Sequence, residues 1–392
     1  MNSQESKKSR IYLDYAATTP VDPEVLKAMI PYFSEKFGNA SSVHSYGQEA
    51  IVALDKARQI IADFFACDWR EIIFTGSATE SNNLAIRGLI KETSVHIITT
   101  TIEHESVHES LRQLEKSGHK VTRVKCDKEG LVSVSSIEKA IKDNTILISV
   151  IYANNEIGVI QPVKEIGKLL EKINKRRREN GLNKIYFHTD AVQALNYLEA
   201  RPDWLKVDMF TFSGHKIYGP KGISGLYVRK NTPLNPLILG GGQEFGLRSG
   251  TENVASSVGL AKALELVTKH RKKDSVRITK LRDKLLDAII KTNINIKLNG
   301  SLKYRLPNNL NLRFAGYDNE TLLVAFDQVG LAVSAGSACS ARAAKASYVL
   351  SSLGLSDKEA KESIRITLGR YTTDAEINSA INIIKQSLKQ LS

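Results

Sequence analysis

The sequence has little of the chemistry that marks secreted or membrane proteins. Its 392 residues include only three cysteines, Cys67, Cys126 and Cys339. Because that number is odd and the first residues show no apolar signal segment, a disulfide scaffold is excluded and a cytoplasmic location is predicted. No apolar run approaches the ~18 residues of a membrane-spanning helix. We expect a soluble chain whose cysteines are buried small side chains or reactive thiols.

Two nucleotide-binding fingerprints are also missing. The P-loop pattern G-x-x-x-x-G-K-[ST] does not occur, and the glycine-rich residues 240–246 lack the G-x-G-x-x-G spacing. Without these loops, nothing in the sequence predicts a mononucleotide or dinucleotide site.

Charge is plentiful but dispersed. The chain has 55 Lys and Arg against 42 Asp and Glu, a formal net charge of +13, and a globular composition with 42% hydrophobic and 25% charged residues. The one dense basic run, residues 175–178, closes a predicted helix, where cations favour the negative end of the helix dipole. Nucleic-acid binding is therefore not expected, and a basic nucleic-acid binder is kept as an alternative.

Strand and helix patterns alternate along the first two thirds of the chain. Predicted helices cover residues 22–33, 48–66 and 164–179, and others begin near residues 78 and 106. Predicted strands cover residues 71–75, 95–100, 120–125, 145–153, 185–188, 207–212 and 222–228. Such alternation predicts βαβ units around a mostly parallel sheet, which is an α/β fold.

The last third has a different pattern. A long predicted helix over residues 252–291 leads into a region of shorter helices and strands. These strands are predicted at residues 294–298, 310–314, 331–334 and 363–367. The sequence therefore predicts a smaller α+β C-terminal domain after a boundary near residues 258–265.

Residues 104–108 match the H-E-x-x-H pattern of zinc proteases. That chemistry needs both histidines within one helix and a third ligand. Here His104 stands at the junction between a predicted strand and a helix, so no metal site is predicted. A zinc protease is kept as an alternative.

Three features at predicted strand ends fit pyridoxal phosphate (PLP). Residues 75–81 (TGSATES) join a strand to a helix, so their N–H groups and hydroxyls could bind a phosphate. Asp190 and Lys216 follow two further strands, and binding sites of parallel sheets gather at that edge. Lysine can form a Schiff base and aspartate can keep a pyridine nitrogen protonated. Together they predict a PLP site.

Cys339 lies in a different setting from the other two cysteines. It sits among small residues with Arg342 and Lys345 close behind, whereas Cys67 and Cys126 lie beside apolar stretches. Because nearby cations favour the thiolate, Cys339 is predicted to be the reactive thiol.

With these residues in place, the sequence resembles the cysteine desulfurases of the class V aminotransferase superfamily, the group typified by the iron–sulfur-cluster and nitrogenase desulfurases. The resemblance covers nearly the whole chain. Matching motifs lie, in the family's order and spacing, at residues 12–20, 79–83, 103–104, 154–158, 213–216, 248–251, 336–339 and 363–365.

The resemblance implies a PLP-dependent fold of type I with a seven-stranded, mostly parallel sheet in its large domain. It also implies three parts: an N-terminal segment, residues 1–20, that packs with the small domain; a large PLP-binding domain, residues 21–260; and a small C-terminal domain, residues 261–392, that carries the persulfide loop.

The same resemblance implies roles for single residues. Lys216 would be the Schiff-base lysine, Asp190 the partner of the pyridine nitrogen, His104 the ring stacked over the cofactor, and Cys339 the persulfide carrier. Arg365 would bind the substrate carboxylate, and Thr251 would reach the phosphate from the other subunit of a homodimer. Further cofactor or substrate contacts are implied for Ala78, Thr79, Asn155, Gln193, Ser213 and His215.

The implied activity converts L-cysteine to L-alanine and passes the sulfur to an acceptor, such as an iron–sulfur scaffold protein or a tRNA-thiolation enzyme. A selenocysteine lyase or another class V transaminase or lyase is the alternative within the superfamily. Phe245 stands where relatives often carry arginine, and Ser392 ends the sequence where scaffold-docking relatives have a further tail. The sequence therefore leaves the acceptor open.

Overall fold

A computed structural model describes residues 10–90, 94–292, 295–336 and 346–391. These residues form twelve strands and thirteen α-helices. The strands are β1 (Ile11–Tyr12), β2 (Ile72–Thr75), β3 (His96–Thr100), β4 (Lys120–Val124), β5 (Thr145–Ser149), β6 (Tyr186–Asp190), β7 (Met209–Ser213), β8 (Ser224–Val228), β9 (Ile296–Leu298), β10 (Asn309–Phe314), β11 (Leu331–Ala332) and β12 (Ser363–Thr367). The helices are α1 (Pro23–Met29), α2 (Pro31–Ser34), α3 (Ser45–Phe65), α4 (Ala78–Arg87), α5 (Glu105–Lys116), α6 (Val134–Ala140), α7 (Val163–Glu179), α8 (Pro202–Leu205), α9 (Val254–Ile290), α10 (Asn319–Gln328), α11 (Tyr348–Ser352), α12 (Asp357–Lys361) and α13 (Asp374–Leu391).

The large sheet has seven strands in the order β2-β8-β7-β6-β5-β3-β4. Only β8 runs antiparallel to its neighbours, β2 and β7. Every residue of β2, β3, β7 and β8 is buried, which is the burial expected where helices cover both faces of a sheet. The predicted α/β fold class with a mostly parallel seven-stranded sheet is confirmed.

Polar caps start the helices that follow the strands of this sheet. The Ser77 side chain accepts a hydrogen bond from the Glu80 N–H at the start of α4, and His104 caps α5 in the same way through Ser106. A side-chain cap of this kind is typically worth about 1 kcal/mol. These caps place two helix N-termini at the carboxyl edge of the sheet.

The 37-residue helix α9 connects the large sheet to a smaller one. That sheet is antiparallel in the order β12-β10-β9, and β1 near the N-terminus pairs with β11 beside it. Its apolar core is separate from the core under the large sheet and includes Leu285, Phe314 and Phe326, all fully buried. The sequence prediction of a long helix followed by an α+β region is confirmed.

Two predicted elements differ from the structure. The strand predicted over residues 145–153 ends at Ser149, where its pairing with β3 stops. The Ile151 N–H donates to the Glu103 carboxylate at 2.9 Å, while the N–H groups of Val150 and Tyr152 still donate to β6. The helix predicted over residues 22–33 divides into α1 and α2, because Pro31 has no N–H to continue the helical hydrogen bonds. None of the helices in the described part of the chain combines the length and the apolar character needed to cross a bilayer.

Candidate active site

A cavity of about 420 Å³ opens at the carboxyl edge of the large sheet. Ten of the twelve residues predicted for the site line it: Ala78, Thr79, His104, Asn155, Asp190, Gln193, Ser213, His215, Lys216 and Arg365. Thr251 does not line it and is exposed on the loop before α9. Cys339 lies outside the described residues.

Lys216 ends a short 3-10 helix, Gly214–Lys216, that directly follows β7. Its Nζ donates to the carbonyl oxygens of Ala16 and Ala17, at 2.6 and 2.7 Å. The Gln193 side chain donates to the same Ala16 oxygen at 3.0 Å. The N-terminal segment thus forms one wall of the cavity and fixes the lysine amine against it.

Asp190 is the last residue of β6 and is buried. Its Oδ2 accepts a hydrogen bond from Asn82 Nδ2 at 2.7 Å, and its Oδ1 accepts one from the Val192 N–H at 3.0 Å. Asn82 also donates to Ser106 Oγ at 2.8 Å, which links α4 to α5 beneath the cavity. These hydrogen bonds fix the carboxylate at the edge of the cavity, where it could pair with a cationic ring nitrogen.

His104 precedes α5 as its N-cap residue, with extended backbone angles. Its Nδ1 accepts from the Ser106 N–H at 3.2 Å, so the neutral ring carries its proton on Nε2. Burial lowers the pKa of His104, the nearby Lys216 lowers it further, and Asp190 opposes both effects. His104 lies outside the helix that holds His108, so the pair does not form the two-histidine helical face of the H-E-x-x-H pattern.

The N-terminus of α4 provides an anion site beside these groups. The N–H groups of Ala78 and Thr79 precede the first helical hydrogen bonds and lie at the positive end of the helix dipole. Across the cavity, burial and Lys216 lower the pKa of His215 to about 4, so its ring is neutral. An anion would meet hydrogen-bond donors and a dipole there, with Ser213 and Lys221 also in the lining.

Arg365 approaches the cavity from β12 of the small sheet and is only 2% exposed. One guanidinium nitrogen donates to Asp14 Oδ1 at 2.7 Å, and the other terminal nitrogen donates to the Asn155 carbonyl at 3.0 Å. Its Nε is buried with no hydrogen-bond partner among the described residues. A planar guanidinium at this position suits recognition of a carboxylate.

Residues 11–379 match the Aminotransferase class-V family. The chain belongs to that family. It is 43% identical over 387 residues to a protein named cysteine desulfurase IscS from Dictyoglomus turgidum, a match that covers 98% of this chain and 96% of that protein.

Two solved structures have a similar fold. A NifS-like protein has a TM-score of 0.90 at 36% identity and covers 97% of this chain and 100% of its own. SspA, solved in complex with cysteine, has a TM-score of 0.79 at 38% identity. That match covers 93% of this chain and 100% of the SspA chain. The family and fold that the resemblance implied are therefore confirmed.

Several residues of the site escaped the sequence analysis. Asn82 lies in the motif at residues 79–83, but the sequence analysis assigned it no role. Its spacing of one turn from Ala78 places it inside the predicted helix. Asp14 and the carbonyls of Ala16 and Ala17 contact Arg365 and Lys216 from about 200 residues or more away. No local pattern could have indicated such contacts.

Proposed function

We propose that this protein is a PLP-dependent cysteine desulfurase. It converts L-cysteine to L-alanine, holds the sulfur as a persulfide on Cys339 and passes it to an acceptor that builds iron–sulfur clusters or thiolates tRNA. The observation that carries the proposal is the meeting of the Lys216 amine, the Asp190 carboxylate and the N-terminus of α4 in one cavity. The relatives named as cysteine desulfurases, and the neighbour that binds cysteine, support the choice of substrate.

The residues of the cavity fit PLP. The start of α4, with Ala78 and Thr79, suits the phosphate, and the hydrogen-bonded carboxylate of Asp190 suits the pyridine nitrogen. Lys216 Nζ is the primary amine in the cavity that could bond to the aldehyde of PLP. When bound, PLP would supply that aldehyde and an electron sink for negative charge at the substrate α-carbon.

Each neighbouring residue then has a defined task. Arg365 binds the substrate carboxylate, and Asn155 lies beside the Arg365 guanidinium. Lys216 Nζ removes the α-proton, and His104 holds a proton on Nε2 for transfer within the cavity. Lining residues such as Ile151 and Val192 limit the water that reaches these groups.

The sulfur transfer is assigned to Cys339. Its thiolate attacks the substrate sulfur, a sulfur–sulfur bond forms and the carbon–sulfur bond breaks. The electron pair of the broken bond remains with the substrate β-carbon, which gains a proton and becomes the methyl group of alanine. Burial raises the pKa of the Cys67 thiol to about 12 and also raises that of Cys126, so both are poorly suited to this attack.

The proposal includes a homodimer. Exposed apolar side chains occur on α2, on the connection between α2 and α3, and on the loop that carries Thr251, among them Phe33, Phe37, Val43, Leu239 and Phe245. The Arg58 guanidinium of α3 lies 5.0 Å from the Phe245 ring, so the loop that carries Thr251 packs against α3. Because monomers rarely expose large apolar patches, we assign this surface to a second copy whose cavity Thr251 would reach.

Cys67 and Cys126 are free thiols, in keeping with a cytoplasmic location.

The experiment is an assay of the PLP-loaded protein with L-cysteine and a thiol reductant, measuring alanine and sulfide. We expect equal amounts of both, and loss of both in Cys339→Ala while the cofactor absorbance persists. Formation of a 2-oxo acid without sulfide would instead establish a transaminase. Activity with selenocysteine but not with cysteine would establish a selenocysteine lyase.

A further inference from the structure

Glu156 contacts both flanks of the segment that carries Cys339. On the C-terminal side, Ser347 Oγ donates to Glu156 Oε2 at 2.5 Å. On the N-terminal side, Gly336 lies so close that a Cβ on it would stand 2.9 Å from the same oxygen. Gly336 has φ of +127°, a conformation open to glycine, so both its backbone and its lack of a side chain allow this approach.

The backbone of Glu156 is itself fixed on both sides. Its N–H donates to Asn154 Oδ1 at 2.8 Å, and its carbonyl accepts from the side chains of Asn309 and Asn311, at 3.2 and 3.3 Å. The residue is 1% exposed. The carboxyl therefore stands at a fixed point between the large and small sheets, directly after Asn155 of the cavity.

Both flanks are also joined to residues beside the cavity. Ser334, two residues before Gly336, exchanges backbone hydrogen bonds with Arg365 at 3.1 and 2.6 Å. Tyr348, directly after Ser347, donates its hydroxyl to the Glu103 carbonyl at 2.6 Å. Through Glu156, the two described flanks, Gly336 and Ser347, are thus connected to each other as well as to residues beside the cavity.

We propose that Glu156 is a positioning residue for Cys339, holding Gly336 and Ser347 together so that the intervening segment starts and ends beside the cavity. Because Cys339 is three residues from Gly336, chain length alone keeps the two Cα atoms within about 11 Å. Glu156 thereby limits how far Cys339 can lie from the substrate sulfur. The inference rests on the proposed function for its catalytic meaning, but the anchoring itself does not.

Burial raises the pKa of Glu156, while Ser347 and Arg365 lower it. Glutamine has the length of glutamate and keeps an oxygen that can accept from Ser347. This gives a graded series: Glu156→Gln retains the anchor and Glu156→Ala removes it. Glu362→Gln is the matched control, since Glu362 is also buried and its partner is Arg313, away from this segment.

The test measures two properties of the PLP-loaded variants. The first is the rate of tryptic cleavage after Arg342 or Lys345, without substrate. Loss of a buried hydrogen bond predicts about tenfold faster cleavage in Glu156→Ala, with Glu156→Gln and Glu362→Gln near wild type. The second is the single-turnover rate of persulfide formation, which should fall about tenfold in Glu156→Ala while the KM for cysteine stays within about twofold.

Wild-type cleavage and persulfide rates in Glu156→Ala would overturn the inference. Equal losses in Glu156→Ala and Glu362→Gln would also overturn it, because they would indicate general destabilisation. If the wild-type protein forms no alanine from cysteine, the proposed function fails, and the cleavage rates still decide whether Glu156 anchors the segment.

Discussion

Two walls of the cavity are built in different ways. The wall formed by His104, Asp190 and Lys216, here called the cofactor wall after its proposed role, follows the carboxyl ends of three strands of one sheet, β3, β6 and β7. The wall formed by Asn155 and Arg365, here the substrate wall, joins the large sheet to the small one. The cofactor wall therefore depends on the core of the large sheet, and the substrate wall on contacts between the two sheets.

This difference has an energetic consequence for substitutions. Removing Asp14 would leave the buried Arg365 guanidinium without its ion-pair partner, which typically costs about 3–5 kcal/mol. Asp14 bridges to Thr367 of β12, so this cost falls on the small sheet. Changes on the two walls should therefore separate cofactor binding from use of the substrate. Three predictions concern these walls, and a fourth concerns the sheet beneath them.

The largest effect is expected for Lys216→Ala on the cofactor wall. Loss of the amine removes both the bond to the cofactor and the base, so kcat should fall by at least about 10³-fold. Circular dichroism should be unchanged, because the Ala16 and Ala17 carbonyls that accept from Nζ face the cavity. Alanine production within tenfold of wild type would contradict the role of Lys216.

The next effect is expected for Arg365→Lys on the substrate wall. A single ammonium cannot reproduce the guanidinium contacts to Asp14 and Asn155 and also pair with a carboxylate. Loss of one charge-assisted hydrogen bond predicts a KM for cysteine raised by about 10- to 100-fold. PLP affinity, followed by equilibrium absorbance titration, should stay near wild type. A parallel loss of PLP affinity would contradict the prediction that cofactor binding and substrate use depend on different walls.

The opposite result, weaker PLP binding with little change in the KM for cysteine, is expected for Asn82→Ala. This change removes a hydrogen bond to Asp190 and should weaken PLP binding about tenfold, while the KM for cysteine at saturating PLP changes little. The matched control is Asn83→Ala on the same helix, because Asn83 is partly exposed and its one side-chain hydrogen bond among the described residues goes to the Thr79 carbonyl within α4. Equal PLP affinities for the two variants would show that Asn82 makes no specific contribution to PLP binding.

The smallest effect concerns pH and the sheet beneath the cofactor wall. His188 is fully buried between Ser149 and Thr211, and burial lowers its pKa to about 3 from 6.5. The unfolded chain therefore binds more protons below pH 6.5, so stability is lost as pH falls from 6.5 towards 3. Between pH 6.5 and 5.5 the loss from this one group is about 1 kcal/mol.

Denaturant unfolding at both pH values, on wild type and His188→Asn, checks this contribution. The variant should lose about 1 kcal/mol less than wild type over that interval. Identical losses in the two proteins would show that His188 does not titrate in this way.

The cofactor wall could be predicted from the sequence because its residues follow strands directly. The strand before Asp190 and the one before Lys216 were visible as apolar runs, and parallel strands bring their carboxyl ends to one edge. The position of His104 at the start of a helix also followed from the sequence, but its place beside the cofactor was implied only by the resemblance.

The substrate wall could be expected only through the resemblance to a known family. Arg365 meets Asp14 across 351 positions of sequence, and no local pattern relates the two. The early end of β5 has a similar cause. The Glu103 side chain takes the place of a neighbouring strand at Ile151, and a hydrophobic pattern carries no sign of that contact.

The central claim is that Cys339 receives the sulfur of L-cysteine. The most direct test is one equivalent of L-cysteine added to the PLP-loaded protein without reductant, followed by mass analysis of the peptide that carries Cys339. We predict the added mass of one sulfur atom on Cys339 and one alanine released for each sulfur bound, with neither in Cys339→Ser. Alanine released while the sulfur is found on Cys67 or Cys126, or on no residue, would contradict the account.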